Sequence, residues 1–290
     1  MPLPYQLKWN AVTHPGLKRN NNEDCFVSSP ETGLWLVADG MGGHEAGEVA
    51  SAIVCDTLNT LSHQSSSFSL SAAIQITHQK ILDAAENGIG AIGMGSTVVA
   101  LLSHKKNYQV AWVGDSRAYL WTSSPTGGEL SRLTRDHSYV QMLLASGSIT
   151  ASEVESHPEK HVITQCLGIQ EIPIISVDVT HQQWQQNQWV ILCSDGLSDE
   201  LSDEEIAEIL TANTNSLDAT NTLLDAALQH GGRDNITLQI IESPIQQQAQ
   251  SIAAILDKIK PIVKRRFNNG LYFVMGIAVL LLILLAITFY

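Results

Sequence analysis

The chain is poor in positive charge. Of its 290 residues 16 are basic and 29 acidic; five of the basic and one of the acidic fall in 251–290. That leaves 11 against 28, a net of −17, for residues 1–250. A body this acidic lacks the basic face that general nucleic-acid binding needs, so no nucleic-acid partner is expected. Cysteine is equally sparse. Cys25, Cys55, Cys166 and Cys193 form no C-x-x-C pair and no Cys/His spacing suited to zinc. Cys25 and Cys193 lie in or beside apolar runs, and all four read as buried thiols of a reducing compartment. Met1–Asn10 has no charged start followed by an apolar stretch, so no secretory signal is expected.

What the chain does have is aspartate at the ends of apolar runs. Leu34–Ala38 leads into Asp39-Gly40, Val110–Val113 into Gly114-Asp115-Ser116, and Val190–Cys193 into Ser194-Asp195-Gly196. Asp234 stands just before Ile236–Ile241. Runs this short and aliphatic predict buried strands. Asp-Gly taken singly signals a turn. Four carboxylates at strand ends are another matter, because each is costly to bury without a counter-charge. Basic residues are too few to serve, which points to hard divalent cations with oxygen ligands.

Helical spacing marks Ala46–Leu61, Ser69–Glu86, Ser138–Gly147, Ser202–Leu210 and Asn221–His230. Ser202-x-x-Glu205 has the form of a capping box, and Gly231-Gly232 ends the last helix. Helices come in blocks and strands in blocks, which favours α+β layers over a doubly wound sheet. One domain is expected over 5–243. A stem follows over 244–270, with apolar residues spaced by threes and fours and the cluster Lys264-Arg265-Arg266. Residues 271–290 carry no charge. Twenty such residues match the hydrocarbon core of a bilayer, and aromatics sit at both ends. The sequence thus predicts a transmembrane tail anchor, with the basic cluster holding the domain on the cytoplasmic side of the inner membrane.

Several motifs, in order, carry a resemblance. Gly16-Leu17-Lys18-Arg19-Asn20-Asn21-Asn22-Glu23-Asp24 opens the set, and Asp39-Gly40-Met41-Gly42-Gly43-His44 follows. Gly95-Ser96-Thr97, Gly114-Asp115-Ser116-Arg117 and Leu133-Thr134-Arg135-Asp136-His137-Ser138 come next. Ser194-Asp195-Gly196-Leu197 and Asp234-Asn235 close it. Together they resemble the metal-dependent serine/threonine protein phosphatases of the 2C (PPM) type, over about 10–241. The resemblance implies a four-layer αββα sandwich, two antiparallel sheets flanked by helix pairs, with the metal site at one edge. It implies Mn²⁺ or Mg²⁺ as cofactor, two per chain or three as in many bacterial members. Asp39 would bridge two cations, Asp195 and Asp234 would complete the first site, and the Gly40 carbonyl would bind the second. Glu23 and Asp24 would hold metal waters, and Arg19 would clamp the substrate phosphate. Asp115 and Asp199 stand where the third cation's ligands fall. A bridging hydroxide would attack the phosphorus of phosphoserine or phosphothreonine in line. The substrates implied are phosphoproteins made by a serine/threonine kinase.

Two positions depart from the family pattern, and a third differs only from its eukaryotic members. Thr13-His14-Pro15-Gly16 replaces a common T-D-x-G. Gln165 stands in the flap, 138–168, where a basic residue is frequent. Met41 occupies the place of a histidine found after the D-G of eukaryotic relatives, which leaves the general acid to His44 or to a water. The competing reading is an inactive phosphatase-like scaffold; it predicts lost carboxylates, and none of these is lost.

Overall fold

The computed structural model describes residues 7–42, 46–64, 68–125, 127–154 and 156–245. The stem from residue 246, the apolar segment 271–290 and His44 lie outside the described residues. Among those described, no helix is long and apolar enough to cross a membrane. One compact unit ends at Ile245.

Strands β1 (Trp9–His14), β2 (Asp24–Ser29) and β3 (Leu34–Met41) precede helices α1 (Ala46–Gln64) and α2 (Leu70–Glu86). Then come β4 (Gly95–Ser96), β5 (Val98–His104), β6 (Asn107–Val113), β7 (Arg117–Ser124) and β8 (Gly127–Arg132). The short helices α3 (Tyr139–Ala145) and α4 (Ala151–Val154) belong to the flap. After β9 (Asp178–Gln183) and β10 (Gln188–Cys193) follow α5 (Asp195–Ser198), α6 (Asp203–Ala212), α7 (Ser216–His230) and β11 (Ile236–Glu242).

Two antiparallel sheets result, ordered β1-β11-β10-β7-β8 and β2-β3-β5-β6-β9, with β4 paired to β3. Strand alternation sorts the side chains into three cores. Trp35, Val37, Val99, Leu101, Val110, Val190 and Leu192 pack between the sheets. Leu34, Leu36, Val98 and Ala100 face the other way, against Val54, Leu58, Ile74 and Ile81 of α1 and α2. On the second sheet Ile191, Cys193, Leu238 and Ile240 meet Ile206, Leu210 and Leu223 of α6 and α7. The four layers expected from the sequence are therefore present.

The helix ends follow their caps. Ser202 accepts from the Glu205 N–H while the Glu205 carboxylate accepts from the Ser202 N–H, the box read from the sequence. Helix α7 starts five residues before the expected Asn221. Asn215 caps it by accepting from the Asp218 N–H, and its first turns are too polar to show a period.

The cysteine reading needs correction. Cys25 on β2 and Cys55 on α1 form a disulfide, and only Cys166 and Cys193 are free buried thiols. Their separation of 30 residues carried no sign of pairing; stacking α1 on β2 brings them together.

The strands also fix a polarity. Asp39, Asp115, Asp195 and Asp234 gather at one end of the sandwich. The β5–β6 turn, the β9–β10 connection and the exit of the chain at Ile245 lie at the other. Seven-residue strands such as β6 set these ends about 20 Å apart.

Candidate active site

The aspartates line a cleft of about 320 Å³ at that first end. Asp39 does not follow β3, as the sequence suggested; it lies within it, directly across from Asp24 on β2. This register turns two carboxyl-bearing residues toward one strand end. Asp115 follows the β6 terminus, Asp195 opens α5, and Asp234 immediately precedes β11. Arg19, Glu23, Asp39, Gly40, Asp115, Asp195 and Asp234 all line the cleft. Asp24 stands behind it, accepting from the Ser194 hydroxyl at 2.8 Å. Asp199 is drawn to the flap, where its Oδ2 lies 3.1 Å from His161 Nδ1.

The backbone around these groups is tightly fitted. A Cβ on Gly40 would strike the Gly47 carbonyl, and one on Gly16, which has φ +77°, would strike the carbonyl of Asp234. The glycines thus let three segments close on one another without an intervening side chain.

Burial and mutual repulsion raise the pKa of these carboxyls. Desolvation pushes Asp115 up to about 8, aided by the charges of Asp195 and Asp136. Asp24 rises to about 7, first through desolvation and then through Asp195 and Asp234. Asp195 rises to about 6 for the same first reason, with Asp199 and Asp234 adding to it. Asp39 is raised as well, by desolvation and then by the charges of Asp195, Asp24 and Asp115. Buried carboxyls crowded this way would be stabilised in their charged form by a cation. The Oδ1 atoms of Asp24 and Asp195 are buried with no hydrogen-bond partner at all. Orphaned acceptors in an all-oxygen donor set fit a hard divalent cation.

Among the described residues no three His, Cys, Asp or Glu side chains stand close enough together to cage a metal ion. Protein contacts explain the spacing. Arg19 Nη2 donates to Asp234 Oδ2 at 2.6 Å, and His161 engages Asp199. The Arg19–Asp234 contact raises the pKa of the guanidinium and keeps it charged beside the cleft.

Sequence reasoning gave no role to four residues that build this site. Thr97 Oγ1 accepts from the Asp39 N–H at 3.1 Å and pairs with Ser116 Oγ at 2.6 Å. The Thr97 N–H also donates to the Asp39 carbonyl at 2.8 Å. Asn235 Oδ1 accepts from the Glu23 N–H, and its amide donates to the carbonyls of Pro15 and Asn21. Both residues sat inside motifs already noted. Ser194 was the neighbour of Asp195, while His161 lay in the flap with nothing to mark it. Gln165 faces away from the cleft and bonds His137 Nδ1 at 3.0 Å and the Ser176 carbonyl at 2.7 Å.

This sandwich with carboxylates crowded at one edge defines a class of hydrolase, and the comparisons agree. The Protein phosphatase 2C profile matches residues 17–230. The serine/threonine phosphatase Stp of Listeria welshimeri is 32% identical over 249 residues, covering 82% of this chain and 96% of that protein. The protein phosphatase PhpP of Streptococcus pneumoniae is 34% identical over 249 residues, 80% of this chain and 96% of its own. The crystal structure of the Mycobacterium tuberculosis serine/threonine phosphatase PstP superposes with a TM-score of 0.74 at 34% identity, covering 82% of this chain and 98% of that one. The PstP catalytic domain has also been solved in complex with two manganese ions, with a TM-score of 0.70 at 33% identity over 81% of this chain and 97% of that one. The chain belongs to the protein phosphatase 2C family of serine/threonine protein phosphatases.

Proposed function

We propose that the protein is a membrane-tethered, Mn²⁺- or Mg²⁺-dependent phosphatase acting on phosphoserine and phosphothreonine in proteins, with the cleft of Asp39 as its catalytic centre. The observation that carries the reading is the convergence of Asp39, Asp115, Asp195 and Asp234 on one cleft with a charged arginine at its rim. Asp39, Asp195, Asp234 and the Gly40 carbonyl would hold two cations, with Glu23 and Asp24 holding their waters; Asp115 and Asp199 would hold a third. When bound, such cations lower the pKa of water and offset charge on the phosphoryl group.

The chain's own residues do the rest. Thr97 fixes the Asp39 backbone from both sides, so the carboxylate is aimed before substrate arrives. Asn235 ties the Glu23 segment to the start of β11. Arg19 is half exposed, so it is free to leave Asp234 and meet a phosphate with two parallel N–H donors. Met41, Gly42, Thr97, Ile163 and Asn235 add uncharged lining, and His161 of the flap adds an imidazole. The uncharged segment 271–290, preceded by Lys264-Arg265-Arg266, supports a tail anchor with the domain facing the cytoplasm.

Two measurements test this. Purified protein should release phosphate from phosphoserine peptides only with Mn²⁺ or Mg²⁺, and Asp39→Asn should abolish the release. More than a few per cent residual rate in that variant overturns the assignment, and an inactive wild type favours the scaffold reading. Full-length protein should resist alkaline extraction from membranes.

A further inference from the structure

We propose that the end of the sandwich opposite the cleft is a lipid-facing surface, which binds anionic phosphodiester headgroups through Lys8, Lys105 and Lys106 with His104 and His181. The inference rests on the tethered reading above and deepens it by saying which face of the domain meets the bilayer.

The first argument is position. The Trp184 N–H donates to the Lys106 carbonyl at 2.8 Å, which ties the β5–β6 turn to the β9–β10 connection. At the end of that connection the Gln188 carbonyl accepts from the Ser243 N–H, also at 2.8 Å. The Glu242 N–H donates to the Lys8 carbonyl at 2.9 Å. The basic turn, Lys8 and the last described residues are therefore one connected surface. The chain that leaves it runs on to Lys258, Lys260, the basic cluster at 264–266 and the uncharged 271–290.

The second argument is charge. Residues 1–250 hold six lysines, and Lys8, Lys105 and Lys106 are three of them. All three are exposed, and no carboxylate among the described residues pairs with them. The arginines behave differently: Arg19, Arg117, Arg132 and Arg233 are each engaged by an aspartate or glutamate. In a body of net −17, half of the six lysines of residues 1–250 thus stand at this one end without a carboxylate partner among the described residues. Exposed carboxylates on the same end include Glu31, Glu129 and Asp218, while Glu242 is buried, and none of them lies within ion-pair distance of the three lysines.

The third argument is local conformation. Lys105 holds φ at 57°, in the left-handed region where glycine or asparagine sits with less strain. Here the turn carries a charged side chain instead, projecting from the tip beside Lys106. Next to it His104, Gln109, His181 and Gln183 line an open groove of about 620 Å³ with Leu102. Imidazole and amide N–H groups suit the phosphate and glycerol oxygens of a headgroup, and Leu102 suits its carbon backbone. Lysines close to an anionic leaflet are each attracted to it, and the attraction is screened by salt.

The test uses the full chain in lipid nanodiscs, either neutral phosphatidylcholine or phosphatidylcholine mixed with phosphatidylglycerol. Lysines are footprinted with an amine-acylating reagent and read by mass spectrometry, with Lys18 and Lys80 as internal references. Lys105 and Lys106 should be acylated roughly fivefold more slowly in the anionic discs than in the neutral ones. High salt should remove the difference, and phosphatase activity on a small phosphoester should be the same in both discs. Equal acylation in the two kinds of disc, with the protein incorporated, overturns this surface and leaves the tether standing. Protein that fails to enter the discs overturns the tether and the surface together.

Discussion

Arg19 and Asp234 meet at the cleft, and on the proposed reading an incoming phosphate would separate them. In the proposed role Arg19→Ala should therefore raise KM for phosphopeptides by more than it changes Mn²⁺ affinity, because the guanidinium would meet the phosphate and only neighbour the proposed metal ligands. Steady-state kinetics beside calorimetric Mn²⁺ titration would show it; unchanged KM with sharply weaker Mn²⁺ binding would reverse the role. The crowded carboxyls make a second statement. Asp24, Asp115 and Asp195 hold protons to about 7, 8 and 6, whereas the unfolded chain loses them near 3.8. The folded metal-free protein then binds more protons than the unfolded one, so its stability falls as pH rises from about 4 to about 8. Each such group accounts for on the order of 1 kcal/mol per pH unit inside its own window. Thermal melts in EDTA should show the decline, Asp115→Asn should flatten it, and Mn²⁺ should abolish it. A melting temperature of the metal-free protein that rises with pH across this window would contradict the assignment of strain to these carboxyls.

Among the elements, α6 offers the cleanest test of a cap. Ser202→Ala removes one half of the box and should lower stability by about 1 kcal/mol, leaving kcat unchanged because α6 lies on the far helix layer. Denaturant midpoints on the two proteins would measure it. The same box shows why much of the fold could be read from the chain. Helices α1, α2 and α6 carry both an apolar period and a defined end, and the β-strands are short aliphatic runs bounded by turn residues. Where those signals fade, so did the reading. Helix α7 begins in Ser216-Leu217-Asp218, a stretch with a cap and no period. Asp39 belongs to β3 because its cross-strand pairing with Asp24 extends the ladder, and pairing is invisible in one segment. The Cys25–Cys55 bond, the His161–Asp199 contact and the turn of Gln165 toward His137 all join residues from separate elements. No local pattern encodes such meetings. The aspartates that converge on the cleft were legible because each sits at or near a strand end, and strand ends share an edge once the sheets form.

On the scale of the whole molecule, the described unit contains all three cores and every residue of the cleft. Relatives matched along 96% of their length span essentially this unit. Truncation after Ile245 should therefore give a soluble enzyme with near-normal kcat on free phosphopeptides, measured beside the full-length protein in detergent. Loss of folding in the truncated protein, seen as a missing cooperative melt, would show that residues 246–290 belong to the core. The polarity of the sandwich then separates what the enzyme does from where it is kept. The cleft is at one end and the exit at Ile245 at the other, like a blade and a handle. On the proposed tether, replacing the segment beyond Ile245 with a different one should change where the phosphatase is kept without altering the cleft.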